Sequence, residues 1–139
     1  MKTLIKSLLI LLLIVVGGPI LFIALLLFLA GDGMCGNDAY AEVHSPDHRY
    51  KAIIFQRDCG ATTDFSTQIS ILKMNAELKN KSGNIFVTRG HPDTHAPELT
   101  WLSNTELLIH RELDGTEFKA ESSLGLINKI QIRYTAGGS

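Results

Sequence analysis

His91-Pro92-Asp93-Thr94-His95 places two imidazoles and a carboxylate within five residues, donor types that suit a divalent metal. Imidazoles at i and i+4 converge on one side only in a helix, and Pro92 and Pro97 argue against a helix here. No third ligand lies within sequence reach. The stretch therefore reads as a solvated loop, and neither a metal nor any other cofactor is expected. Asp58 and Asp64 bracket the loop DCGATTD and could act as a carboxylate pair. Separated by small, turn-forming residues, they read instead as turn caps. Ser66, Ser70, Ser103, Ser122 and Ser123 stand in no Gly-x-Ser-x-Gly elbow, and the chain carries no phosphate loop or dinucleotide fingerprint. No catalytic residue is assigned.

The same DCGATTD loop is the best binding candidate, through Arg57, Asp58, Gly60, Thr62, Thr63 and Asp64. Gly60 and Ala61 leave the backbone accessible, the two threonines supply hydroxyls, and Arg57 and Asp58 offer opposite charges. The competing reading is a tight, hydroxyl-capped turn. Cys35 and Cys59 are the only cysteines, and an oxidising compartment would allow them to pair. Closing a loop of about 25 residues is worth on the order of 3 kcal/mol in the chain-entropy model. Two free thiols are the alternative. A zinc site fits poorly, since there is no CxxC spacing and no histidine near either thiol. His44 and His48 flank Ser45-Pro46 and read as surface residues.

The element that must position all of this is the uncharged run over residues 8–30, LLILLLIVVGGPILFIALLLFLA. As a helix it would reach roughly 34 Å, enough to cross a hydrocarbon core of about 30 Å. Its apolar core is longer than that of a signal peptide, and no lipid-attachment run precedes Cys35, so it reads as an uncleaved anchor. Pro19, after Gly17-Gly18, predicts a kink. Lys2 and Lys6 precede the run, whereas 11 Lys/Arg and 14 Asp/Glu follow it, a net of −3. That split favours a cytoplasmic amino end and a domain on the far side. The mild acidity excludes a nucleic-acid footprint. The expected division is a cytoplasmic stretch 1–7, an anchor 8–30, a tether 31–38, a β domain 39–135 and a flexible tail 136–139.

Within the domain, strands are predicted over 39–44, 50–57 (YKAIIFQR), 65–72 (FSTQISIL), 85–87, 101–102, 106–110 and 128–134. Phe65, Thr67, Ile69 and Ile71 form a buried face opposite an exposed Ser66, Gln68 and Ser70. Ile130, Ile132 and Tyr134 point inward. Residues 75–84, polar and lysine-rich, have room for one helical turn, residues 89–99 are the longest irregular stretch, and Asp114-Gly115 signals a hairpin. The fold class is all-β: a transmembrane helix followed by a small antiparallel domain, sandwich-like or one twisted sheet. SPDHRYKAIIF and LSNTELLIH echo each other, but two such units are too few for a propeller. A domain of this size leaves little volume for a pocket of about 300 Å³ or more.

RDCGATTDFSTQISIL, with SPDHRYKAIIF before it and WLSNTELLI after it, resembles a family of short uncharacterised bacterial proteins. These combine an apolar amino-terminal segment, a nearby cysteine and a compact β-rich domain with a Cys-Gly-Ala-Thr-Thr motif. The resemblance implies a bacterial envelope setting and supports the Cys35–Cys59 pairing, but carries over no activity. The expectation is a single-pass protein of the bacterial inner membrane. Its domain would face the periplasm or cell exterior and bind or assist an envelope protein without catalysis. A small hydrolase or metal-dependent enzyme, using His91 and His95 or the two aspartates, is the alternative.

Overall fold

The computed structural model describes residues 1–31 and 35–135, without the side chains of residues 29–31. The chain divides into two units, Met1–Met34 and Cys35–Ser139. The first is helical: α1 (Lys2–Leu12), a π-helical stretch (Leu13–Gly17) and α2 (Gly18–Gly31). Within Lys2–Phe28 an 18-residue window reaches a mean hydropathy of 3.1, so the helix is long and apolar enough to cross a membrane. Pro19, where a kink is expected, is the second residue of α2, and the π-helical stretch ends two positions before it. The wider turn of that stretch absorbs the irregularity that a helix-interior proline imposes.

The second unit contains two sheets. The first has five strands in the order β1 (Gly36–His44), β2 (Tyr50–Asp58), β3 (Ser66–Lys73), β4 (Phe86–Arg89) and β7 (Lys119–Ala120). The second has four: β5 (Glu98–Ser103), β6 (Glu106–His110), β9 (Ile130–Tyr134) and β8 (Ser123–Leu124). Both supply one core, with Ala52, Ile54, Ile69 and Ile71 from the first and Leu99, Leu107, Ile109, Ile130 and Ile132 from the second. The arrangement is therefore a sandwich, not a single sheet. Fully burying a side chain such as Ile69 or Leu107 contributes about 1.5–3 kcal/mol. Trp101 Nε1 donates to Val43 O at 3.0 Å, linking β5 to the edge strand β1.

Several expectations need correction. The domain is not wholly antiparallel, because β6 and β9 pair in parallel. The tether is shorter than residues 31–38, since β1 begins at Gly36. Residues 32–34 of that tether and the expected tail 136–139 lie outside the described residues. Asp114-Gly115 makes a turn, with Gly115 at φ 83°, but not a hairpin. β6 pairs with β5 and β9 while β7 pairs with β4, so residues 111–118 cross from one sheet to the other.

Strand β3 is buried on both faces, with Gln68 at 4% and Ser70 at 5% exposure. Residues 75–84 hold no helical turn; bonds from their end cover this polar face. Gln68 Oε1 accepts from Ser82 Oγ at 3.0 Å and Gly83 N at 2.6 Å, and Ser70 Oγ accepts from Asn84 N at 3.1 Å. A Cβ on Gly83 would lie 2.8 Å from Phe86 O and 2.9 Å from Ile69 O, so only glycine allows this approach.

Residues 89–99 are likewise less irregular than expected. They contain a short helix, α3 (Pro92–His95), and the start of β5. Pro92 occupies the first turn, where its missing N–H is no loss, and the His91 side chain caps the helix by accepting from Asp93 N.

Candidate functional site

The first sheet opens at one end. β7 pairs with β4 only at Phe86 and Val87, so Thr88 and Arg89 have no β7 partner. The crossing segment 111–118 diverges there and leaves an open cleft of about 790 Å³. Thr88, Arg89, Gly90, His91 and His95 line one side, Thr63, Asp64 and Phe65 another, and Arg111, Asp114, Thr116 and Phe118 the third. The small domain thus does make a large concavity, contrary to expectation. It lies at a sheet end, where loops and the last residues of β4 line it.

Arg111 packs between Phe86, Thr88 and Glu117. Its guanidinium carbon lies 5.5 Å from the centre of the Phe86 ring, and its Nε is 3.5 Å from Glu117 Oε1. The Glu117 carboxylate is only 4% exposed and accepts from Gly115 N at 3.1 Å, tying the crossing segment to Arg111. The buried Arg111 Nε makes no hydrogen bond, while Nη2 is 3.5 Å from Thr88 Oγ1. Asp114 Oδ1 accepts from Thr116 Oγ1 at 2.5 Å and Thr116 N at 2.9 Å. Those bonds hold its carboxyl below the usual range.

On the opposite side Arg89 Nη1 stands 3.8 Å from Asp64 Oδ2, both side chains being largely exposed. A pair this exposed is worth about 0–1 kcal/mol, so both groups remain available. The Phe65 and His91 rings meet edge to face at 5.5 Å. Thr94 Oγ1 lies 2.7 Å from His95 Nδ1. Gly90, at φ 104°, lets the His95 ring sit against its backbone, since a Cβ there would be 2.5 Å from Nδ1.

The six candidate binding residues separate. Thr63 and Asp64 line the cleft. Arg57 does not, being 5% exposed and donating to Asn37 Oδ1 at 2.8 Å and Asn80 Oδ1 at 3.0 Å. Asp58 Oδ1 accepts from Gly60 N at 2.9 Å, and Thr63 Oγ1 donates to Gly60 O at 3.1 Å, which is the turn-cap role. Thr62 is exposed on that turn. Cys35 and Cys59 form a disulfide, S–S 2.03 Å. The register that pairs Gly36 with Asp58 sets the two cysteines opposite each other at the next step.

His44 and His48 lie around the β1–β2 turn, their rings 5.9 Å apart. His44 Nε2 is 2.9 Å from Glu42 Oε1, and that hydrogen bond lowers the Glu42 carboxyl. No cluster of three or more His, Cys, Asp or Glu side chains suited to a metal ion occurs among the described residues. Sequence reasoning missed Thr88, Arg89, Arg111, Asp114, Thr116 and Phe118 as site residues. The one available signal was Asp114-Gly115-Thr116, whose Asp and Thr form a side-chain-capped turn. Comparison with protein families, with characterised proteins and with solved structures finds no match for this chain.

Proposed function

We propose that this chain is a membrane-anchored, non-enzymatic binding protein of the bacterial envelope. Its amino end lies in the cytoplasm, its β-sandwich lies outside the inner membrane, and the cleft at the sheet end captures an envelope component. The observation that carries the reading is the cleft itself, whose volume falls in the range of about 300–1,000 Å³ typical of ligand sites. Its groups are preorganised by an ion pair, Glu117 with Arg111, and by hydrogen bonds, Thr116 to Asp114 and the Asp93 N–H to His91. Such bonds lower the cost of holding a ligand. The charge split around the apolar helix supports the orientation.

A photo-crosslinking residue in place of Phe118, which is 66% exposed, tests this in intact cells. It is expected to capture a component that the same residue at Leu102, 50% exposed and outside the cleft lining, does not. Equal capture at both positions, or none at Phe118, would refute the assignment. A carboxyl-terminal reporter active only in the cytoplasm tests the orientation and is expected to stay silent. Turnover of a substrate lost on Asp64→Asn or His95→Ala would instead support the hydrolase alternative, since both residues line the cleft.

A further inference from the structure

We infer that the ligand of this cleft is a saccharide chain without net charge, an inference that rests on the cleft being the binding site. The first ground is charge balance. Arg89 stands beside Asp64 and Arg111 beside Glu117, with Asp114 on the same wall. The two guanidiniums do not outnumber the carboxylates beside them, so they form no cationic cluster to recognise a phosphate or carboxylate. An anion paired with Arg89 and Arg111 would face Asp64 and Asp114 across the same space, and like charges so placed repel. A cation would meet the two guanidiniums in turn. What the cleft offers is donors and acceptors side by side. A hydroxyl group both donates and accepts, so a pair of neighbouring sugar hydroxyls satisfies a guanidinium and a carboxylate together without stranding either.

The second ground is aromatic. Phe118 is 66% and Phe65 43% exposed, and both line the cleft. Large apolar rings left in water within a concavity mark a contact surface. A pyranose ring carries an apolar C–H face as well as its hydroxyls and covers such a ring. The third ground is shape. About 790 Å³ opening to solvent at the end of a sheet gives room for several consecutive sugar units. Arg111, already fixed by Phe86, Thr88 and Glu117, loses little freedom when it binds.

The test uses the isotope-labelled full chain in lipid nanodiscs, because a sugar-headgroup detergent would itself compete. Chito-, cello- and maltotetraose are titrated, with phenyl phosphate and a uronic-acid tetramer as charged comparators. At least one neutral tetrasaccharide is expected to shift the Arg89 and Arg111 side-chain N–H signals and the amides of residues 111–118. Phe118→Ala should weaken that binding roughly tenfold, about 1.4 kcal/mol, with core signals unchanged. Phe118→Trp should retain it. Absence of shifts from every neutral tetrasaccharide at about 10 mM, or tighter binding of either charged comparator, would overturn the inference. If crosslinking from position 118 still captures a component in cells, only the saccharide class falls. If it captures nothing, the binding assignment falls with it.

Discussion

Replacing Asn37 by alanine isolates the bonds by which the edge strand helps secure residues 75–84. The Asn37 carboxamide accepts from Arg57 Nη1 at 2.8 Å and donates to Lys79 O at 2.9 Å and Lys81 O at 2.7 Å. A bond to a charged group is worth about 1.5–3 kcal/mol and each neutral one about 0.5–1.5 kcal/mol. The gross loss is then about 2.5–6 kcal/mol, and water reaching this half-buried site replaces part of it. We expect a net cost of about 2–4 kcal/mol, a large share of the 5–15 kcal/mol typical of a domain. Urea denaturation followed through Trp101, the only tryptophan, reads the change. With a slope of about 1–3 kcal/mol per molar, the midpoint should fall by on the order of 1–2 M. Asn37→Asp keeps an acceptor for Arg57 but loses both donors, so its cost should reflect mainly the Lys79 and Lys81 bonds. A midpoint for Asn37→Ala within about 0.2 M of wild type would refute the accounting.

Other outcomes follow from the same structure. Cys35→Ser with Cys59→Ser removes a link across 24 residues and should cost about 3 kcal/mol; hydrogen exchange should rise first at the beginning of β1, an edge strand paired on one side only. Gly90→Ala forces a side chain onto φ 104° and against the His95 ring, for a cost of about 1–3 kcal/mol in backbone strain, visible as a lower melting temperature and a displaced His95 ring resonance. Tyr134 is pushed up to about 12 by burial, then by the nearby charges of Glu121 and Glu117. The unfolded chain therefore loses this proton first, and stability should fall as pH rises from about 10 towards 12, a decline absent in Tyr134→Phe.

Local pattern made much of the fold legible. The apolar run YKAIIF became the buried β2, and the alternation of Ile130, Gln131, Ile132 and Arg133 gave the inward and outward faces of β9. The cysteine pairing was also readable, because two thiols beyond one span share a compartment. Contacts between remote segments were not legible. Gln68 and Ser70 look like a solvent face until Ser82, Gly83 and Asn84 satisfy them. Polar residues can bury a strand face as completely as apolar ones when each donor and acceptor is paired. Arg57 was misread for the same reason: beside a glycine-threonine loop it looks like a ligand contact, yet Asn37 and Asn80, 20 and 23 positions away, take its guanidinium into the interior.

The cleft follows from a length mismatch that no local pattern announces. β4 offers four residues, but β7 pairs with only two of them, so the sheet has a notch at Thr88 and Arg89. Arg111 reaches Thr88 there, and its position depends on β6 ending at His110 in the other sheet. The parallel pairing of β6 with β9 bears on this directly. An antiparallel hairpin after β6 would have carried residues 111–118 back along the second sheet, whereas β9 takes the place beside β6 and the chain crosses to β4 instead. The topology that departs from the antiparallel expectation is thus the one that brings Arg111, Asp114, Thr116 and Phe118 to Asp64, Phe65 and His91. A variant that strengthened β7 pairing alongside Thr88 and Arg89 would close the notch, and with it the site.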